Sequence, residues 1–253
     1  MKPAITHLPA MIIVLACLVM LVHGPIAQLD NYHAFADQGS WLGLPHAADV
    51  LSNLGFALVG LWGIRTLWPV RNHPGIEPGK LAYGLFLLAL ILTAAGSSYY
   101  HLAPDNERLL WDRLPIALAC AGLLVGVLAD TTLAKSKVTP VTVVLALYAV
   151  ASVFWWYFTE LNGQGDLRPY LLIQILPIVL IPLLQAIYHA PRQDRLWFGA
   201  ALLLYVIAKL TEINDHLIHE LTGMTLSGHT LKHLLATTAA GLLVYRLVQR
   251  TKM

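Results

Sequence analysis

Charged residues are scarce in this chain of 253 residues, in which Asp, Glu, Lys and Arg make up only 12%. A water-soluble domain has about 25% charged residues, and half that share cannot cover the surface of a soluble protein of this size. The net charge is only +2 and no run of Lys or Arg occurs, which argues against nucleic acid as a partner. Low-complexity tracts, linkers and repeats of fixed period are also missing, so we expect one domain over 1–253.

Cysteine is nearly as rare, with only Cys17 and Cys120 in the chain. Both lie deep in apolar stretches, where a cysteine normally serves as a small buried hydrophobic residue. We therefore expect neither a disulfide nor a cysteine metal site.

Apolar residues are abundant instead, at 57% of the chain with a mean hydropathy of +0.65. A membrane-spanning helix needs roughly 20 apolar residues, and candidate segments lie at 7–27, 50–68, 81–101, 113–130, 138–158, 169–189, 196–214 and 228–248. The sequence predicts an all-α, polytopic transmembrane helix bundle. Its core has seven helices over about 49–250, preceded by one extra N-terminal hydrophobic helix at 7–27. That first segment also resembles a cleaved signal peptide, but no small-residue cleavage site stands out, and we expect it to be retained.

The distribution of Lys and Arg predicts the orientation. If the N-terminus is cytoplasmic, the inner side carries many more of the 16 basic residues than the outer side, as the positive-inside rule requires. The inner-side residues are Lys2, Arg65, Arg71, Lys80, Lys135, Lys137, Arg192, Arg195, Arg246, Arg250 and Lys252, and the outer-side residues are Arg108, Arg113 and Arg168. We expect a multi-pass cell-membrane protein with a cytoplasmic C-terminus.

Ionisable residues inside spanning segments are costly and mark functional sites. They concentrate in GSSYYH (96–101), at Asp112 and in DHLIHELTGMTLSGHTLKH (215–233), all of which fall on the outer side in this topology. Each has a simpler explanation on its own. Ser97 fits a small residue at a helix contact, and Asp112 and Ser227 fit helix N-caps.

The segment 215–220 has two interpretations. A solvated outer loop explains its polar residues, and a second metal site or a contact with a substrate head group is the alternative. The residues concerned are Asp215, His216, His219 and Glu220.

His229 and His233 are harder to explain structurally. Residues four apart on a helix lie on the same face, so both imidazoles can bind one metal ion, as in the His-x-x-x-His zinc motifs. Ser97 and His101 repeat the same spacing on another helix. A third imidazole and a water molecule would complete a tetrahedral catalytic zinc site.

Together these residues resemble the signature of the alkaline ceramidases, which belong to a superfamily of membrane hydrolases that includes the progestin and adiponectin receptors. The signature here is Ser97-x3-His101, then Asp112, then His229-x3-His233. DVLSNLGFALVG (49–60) also resembles the start of the first core helix of the ceramidases. The similarity extends from about residue 37 to residue 240.

The resemblance implies a zinc-dependent hydrolase that cleaves the amide bond of ceramide or a related N-acyl lipid. It implies that His101, His229 and His233 bind Zn²⁺, that Asp112 is the general base for the zinc-bound water, and that Ser97 hydrogen-bonds to the water or the oxyanion. The metal site would then lie towards the outer face of the membrane.

Two departures from the family pattern affect these expectations. The acidic stretch that binds calcium in ceramidases corresponds to FADQGSWLGLPHAADVLSN here, with only Asp37 and Asp49 as remnants and His46 where an acidic ligand is expected. We therefore predict no calcium site. Lys232 stands between the two histidines, where many ceramidases have an aromatic residue, and a cation there is expected to alter the head group accepted.

Two other functions remain as alternatives. One is a receptor or sensor with a structural zinc site, as in the receptor branch of the superfamily. The other is a metal or proton transporter, which should place ionisable residues throughout the bilayer, whereas the inner halves of these helices are nearly free of them. Lys209 and Glu212 are the main exceptions and are spaced to form an i, i+3 pair. The sequence leaves the oligomeric state open.

Overall fold

A computed structural model describes residues 3–252, which are almost entirely helical. The helices are α1 (Pro3–Thr6), α2 (Leu8–His23), α3 (Ala47–Ser52), α4 (Leu54–Leu67), α5 (Lys80–Leu102), α6 (Asn106–Thr131), α7 (Lys135–Leu161), α8 (Arg168–Ile187), α9 (Arg192–Ile213), α10 (Asp215–Leu221) and α11 (Gly228–Arg250). A 3₁₀ helix (Glu77–Gly79) leads into α5, and two short antiparallel strands, β1 (Ser40–Trp41) and β2 (Leu44–Pro45), form a hairpin.

Seven spans in the described part of the chain are long and apolar enough to cross a membrane, which confirms the predicted all-α transmembrane bundle. They are Ala47–Leu67, Glu77–Leu102, Asn106–Thr131, Lys135–Leu161, Arg168–Ile187, Arg192–Ile213 and Gly228–Arg250. The predicted extra N-terminal helix forms α2, whose 16 residues are about 24 Å long at about 1.5 Å per residue. This is shorter than the roughly 30 Å of bilayer hydrocarbon. The extra helix is thus shorter than a full span. It packs against α8.

The bundle has its apolar core between the helices and leaves further apolar side chains on its outside. The largest buried cluster joins α4, α5, α9 and α11, and a second surrounds the fully buried Trp156 between α5, α6, α7 and α8. Leu58, Leu147 and Leu203 are exposed on the outer surface. Such side chains suit a bundle whose solvent is lipid.

Two glycines allow the close helix contacts that position the polar residues. A Cβ atom on Gly96 of α5 would lie 2.1 Å from the carbonyl oxygen of Trp111 in α6. A Cβ atom on Gly228, the first residue of α11, would lie 2.2 Å from the carbonyl oxygen of Thr211 in α9. Both distances exclude any side chain, so glycine brings Ser97 next to α6 and brings the start of α11 against α9.

A buried carboxylate fixes the segment after α2 to the loop between α7 and α8. Asp166 accepts hydrogen bonds from the backbone nitrogen of Ile26, from Trp155 Nε1 at 2.9 Å and from Arg168 Nε at 2.9 Å. Arg168 also donates to the carbonyl oxygen of Met20. Burial raises the pKa of Asp166, but the hydrogen bonds from Arg168 and Trp155 outweigh burial and hold the pKa well below its ordinary value. The ionised carboxylate therefore stabilises this contact.

A buried and a partly buried ion pair close the end of the bundle where α6 and α11 terminate. Asp130 pairs with Arg250 at 2.5 Å, and Asp194 pairs with Arg246. His101 and His229 lie at the other end, because α5 ends there and α11 begins there. We refer to that end, which contains His101 and His229, as the metal end.

Candidate metal centre

Three buried histidines meet at the metal end. His101 is in the last turn of α5, and His229 and His233 are in the first two turns of α11. One nitrogen of each ring lies within 4.8 Å of the corresponding nitrogens of the other two. The three residues that the sequence singled out are therefore brought together, in a group that could hold a metal ion. Imidazole nitrogens suit zinc, copper, iron and nickel.

The Nε2 atoms of His101 and His229 face each other. His101 Nε2 and His229 Nε2 are 3.2 Å apart, and two imidazoles on a tetrahedral zinc ion are separated by about 3.3 Å when each Zn–N distance is about 2.0–2.1 Å. His233 uses its other nitrogen, Nδ1, for a 2.8 Å hydrogen bond with Ser52 Oγ. His101 Nδ1 lies 4.0 Å from a carboxylate oxygen of Asp49. The three imidazoles and the spacing of His101 and His229 therefore fit a metal ion, and the hydrogen bond to Ser52 leaves His233 Nε2 for the same ion.

Asp49 is the central carboxylate behind the histidines. It is fully buried, and its Oδ1 accepts hydrogen bonds from Thr230 Oγ1 at 2.5 Å and Ser227 Oγ at 3.2 Å. Its Oδ2 has no hydrogen-bond partner within residues 3–252 and faces His101. Carboxylates and hydroxyls in this position orient metal-binding imidazoles and strengthen them as ligands. Asp49 and Ser52 are thus candidates for supporting the site.

Asp215 holds the start of α11 in place. Its Oδ1 accepts a 2.7 Å hydrogen bond from the backbone nitrogen of His229, and its Oδ2 accepts one from the backbone nitrogen of Ala36. Ser227 caps α11 by accepting a hydrogen bond from the backbone nitrogen of Thr230, which confirms its predicted N-cap role.

The interpretation of 215–220 as a solvated loop is wrong in part. The segment forms α10, in which Asp215 and His219 are buried while His216 and Glu220 are exposed. The burial of the Asp215 carboxylate is tolerated because two backbone N–H groups, at the start of α11 and at Ala36, donate hydrogen bonds to it.

Lys232 adds a positive charge beside the histidines. Its Nζ lies 2.9 Å from Glu212 Oε1 and 2.9 Å from His229 Nε2. Glu212 also accepts a 2.6 Å hydrogen bond from Lys209, which confirms the pair expected from the sequence. A metal ion on His229 Nε2 requires Lys232 to turn away from that atom. The Lys232 ammonium can do so while it keeps its ion pair with Glu212.

Asp112 and Ser97 lie on neighbouring helices at the metal end. The helix that contains Asp112 begins at Asn106 and is capped by Asp105, so the interpretation of Asp112 as an N-cap is wrong. Asp112 is instead buried inside α6, and one of its oxygens, Oδ1, has no hydrogen-bond partner among the described residues. Ser97 is also buried, and it lines the same cavity as Asp112.

A cavity of about 390 Å³ connects these side chains with the interior of the bundle. Its polar end is lined by Ser97, Asp112, Lys232 and His233. The rest is mainly apolar and is lined by residues of α4, α5, α6, α8, α9 and α11, among them Phe56, Phe86, Leu90, Leu123, Ile178 and Leu243. The volume is in the range of small-molecule sites, about 300–1,000 Å³. A ligand with one polar end and one long apolar end matches this lining.

Phe35 is a site residue that the sequence did not indicate. It is buried, and its ring centroid lies 4.4 Å from that of His229 and 4.7 Å from that of His101. Phe35 belongs to the long segment between α2 and β1, where an apolar residue gives no signal of its position. Its ring packs against His101 and His229 and separates them from the rest of this segment.

No protein-family model matches the chain, and a search of the curated proteins gave no match.

Proposed function

We propose that the protein is a zinc-dependent membrane amidohydrolase that cleaves the amide bond of ceramide or a related N-acyl lipid. The observation that carries the proposal is the convergence of His101, His229 and His233 next to a cavity lined by Asp112 and Ser97. The resemblance of these five residues to the alkaline ceramidase signature supports it.

The three histidines would hold the zinc ion through their Nε2 atoms. Bound zinc would polarise the amide carbonyl and make a nearby water molecule more acidic. Ser52 and Asp49 would keep the rings of His233 and His101 in the orientation that presents Nε2 to the metal. Phe35, packed on two of the rings, would limit access of bulk water.

Asp112 would act as the general base. Its carboxylate has a free buried oxygen and lines the cavity beside His233, so it can take a proton from the attacking water and pass it to the departing amine. The hydroxyl of Ser97, which lines the same cavity, would donate a hydrogen bond to the oxygen that gains negative charge. In the balanced reaction, water supplies a hydroxyl to the carbonyl carbon and a proton to the nitrogen, and the C–N bond breaks.

The cavity would hold the fatty-acyl chain. Its apolar walls extend from the polar end towards Phe198, Leu243 and Ile181 in the interior, so the chain can remain in an apolar environment while the amide reaches the metal. These apolar walls also disfavour a transport function, because an ion crossing the bundle would need polar groups along its path.

Hydrolysis by the purified protein tests the proposal. Zinc-loaded protein in detergent should release fatty acid from at least one member of a panel of N-acyl lipids, and removal of zinc with a chelator should abolish that release until zinc is restored. His101→Ala should lose both zinc and activity, whereas His189→Ala, which changes an exposed histidine outside the site, should lose neither.

Full zinc occupancy without hydrolysis of any lipid in the panel would contradict the enzymatic proposal. That result would favour a receptor or sensor in which the zinc site is structural.

A further inference from the structure

Arg113 is a buried cation that forms no ion pair with any described residue. Only 2% of its surface is exposed, and its Nε and Nη1 atoms have no hydrogen-bond partner among the described residues. The ion pairs found within residues 3–252 do not include it. A buried charge without such partners is strongly unfavourable, so its position calls for an explanation.

Three aromatic rings partly stabilise the buried guanidinium of Arg113. The guanidinium carbon of Arg113 lies 4.0 Å from the ring centroid of Trp156, 4.9 Å from that of Tyr32 and 5.3 Å from that of Tyr170. Cation–π contacts of this kind are favourable, and they hold the planar group in a fixed place. They provide no acceptor for its N–H donors, which remain available to a ligand.

The position of Arg113 connects it with the proposed catalytic residues. Arg113 lines the same cavity as Asp112 and His233, together with Tyr32 and Tyr170. Asp112 and Arg113 are consecutive residues of α6, and both side chains line this cavity. A group bound by Arg113 would therefore occupy the same cavity as the bond that Asp112 would help to break.

The charges around the cavity leave room for an anion. Arg113, Lys209 and Lys232 are the cations of its lining, and Asp112 and Glu212 are the carboxylates. Both lysines are paired with Glu212, so Asp112 is the remaining carboxylate opposite Arg113, and the lining carries one more cation than carboxylates. A guanidinium binds a carboxylate or a phosphate through two parallel hydrogen bonds.

We propose that Arg113 binds an anionic group, a carboxylate or a phosphate, on the amine portion of the substrate. This inference rests on the proposed hydrolase function and narrows its substrate class to acidic N-acyl lipids. Hydrolysis of such a lipid consumes one water molecule and yields a fatty acid and an amine that keeps the anionic group. The acyl chain occupies the apolar part of the cavity, and the anionic group lies against the guanidinium.

Three lipids with the same acyl chain test the inference. N-palmitoylglycine carries a carboxylate, N-palmitoylethanolamine carries a neutral hydroxyl of similar size, and the phosphate ester of N-palmitoylethanolamine carries a phosphate. Wild-type protein should hydrolyse one or both anionic lipids at least about 10-fold more efficiently, in kcat/KM, than the neutral one. The comparison between glycine and phosphate shows which anion the site accepts.

Variants at Arg113 separate recognition from folding. Arg113→Gln should lower kcat/KM for the preferred anionic lipid about 10- to 100-fold, as expected for the loss of hydrogen bonds to a charged group. Turnover of N-palmitoylethanolamine should stay within about threefold, and zinc content should not change. Arg113→Lys, which keeps the charge, should recover part of the loss. Arg108→Gln, which changes a partly exposed arginine paired with Asp105 on the same helix, is the matched control.

Binding to zinc-free protein provides a readout independent of catalysis. The preferred anionic lipid should bind wild-type protein about 10- to 100-fold more tightly than Arg113→Gln, while N-palmitoylethanolamine should bind both alike. Equal use of anionic and neutral lipids by wild type, or an equal loss for all three lipids in Arg113→Gln, would overturn the inference but leave the hydrolase proposal intact. Arg113-dependent binding without hydrolysis would support the inference and count against the hydrolase.

Discussion

Substitution of Asp112 by asparagine would distinguish a general base from a structural residue. Asp112 lies inside α6 rather than at its N-cap, and its Oδ1 has no hydrogen-bond partner among the described residues. Asparagine has nearly the same volume, so the cavity should keep its shape. The change also removes a buried carboxylate, and we therefore expect the melting temperature to be unchanged or slightly higher.

The expected effect on turnover is large. Loss of a positioned general base lowers a rate about 10²- to 10⁴-fold, which corresponds to about 3–5 kcal/mol of activation free energy. Zinc content should not change, because the three imidazoles remain. The assay is single-turnover hydrolysis of an N-acyl lipid by zinc-loaded protein, accompanied by elemental analysis of the same sample.

Asp105→Asn is the matched control, since Asp105 is the N-cap of the same helix and asparagine caps about as well as aspartate. We expect Asp105→Asn to turn over the lipid at nearly the wild-type rate. Wild-type turnover by Asp112→Asn would refute the assignment of Asp112 as the base.

Three further predictions concern the support of the site, the N-terminal contact and the orientation. Ser52→Ala removes the hydroxyl on His233 Nδ1 and should weaken zinc binding about 10- to 100-fold in a chelator competition; unchanged affinity would exclude a supporting role. Asp166→Asn should lower the melting temperature at pH 7, because a carboxylate with a depressed pKa stabilises the fold above its ordinary pKa of 3.8. The difference in melting temperature from wild type should shrink as the pH falls below about 4 towards the depressed pKa, and a constant difference would contradict this. Reporter fusions at residues 105 and 253 should report opposite sides of the membrane, with 253 cytoplasmic, and the same side for both would overturn the predicted topology.

The spanning helices could be predicted because hydrocarbon imposes a length on each apolar segment. Each predicted core segment corresponds to one span, and nearly all of the predicted ends lie within a few residues of the observed ones. The largest difference lies at the start of α6, which begins at Asn106 because the first turns, with the charged residues Glu107 and Arg108, are helical too. Hydropathy identifies the part of a helix that lies in hydrocarbon, whereas hydrogen bonding determines where the helix begins.

The members of the histidine group could be predicted, but their surroundings could not. His229 and His233 were predicted as a pair because residues four apart share one face of a helix. His101 was predicted from its four-residue spacing to Ser97 and from the family resemblance. Asp49 and Ser52 lie in a stretch that the sequence indicated only as similar to a family segment. Their contacts with the histidines depend on how α3 packs against α5 and α11, which no local pattern reports.

Arg113 shows the same limit more clearly. In the sequence it counts as one of a few outer-side basic residues, and such residues normally face water. Its burial depends on Tyr32, Trp156 and Tyr170, which come from three other segments and meet it only in the folded bundle. A single sequence gives no signal for that convergence.

The zinc content of the purified protein tests the central claim most directly. Elemental analysis of wild-type protein should find one zinc ion per chain, and the His229→Ala/His233→Ala double variant, folded and purified in the same way, should have lost it. Full zinc occupancy in the double variant would contradict the account, because the metal would then be bound somewhere other than this group of histidines.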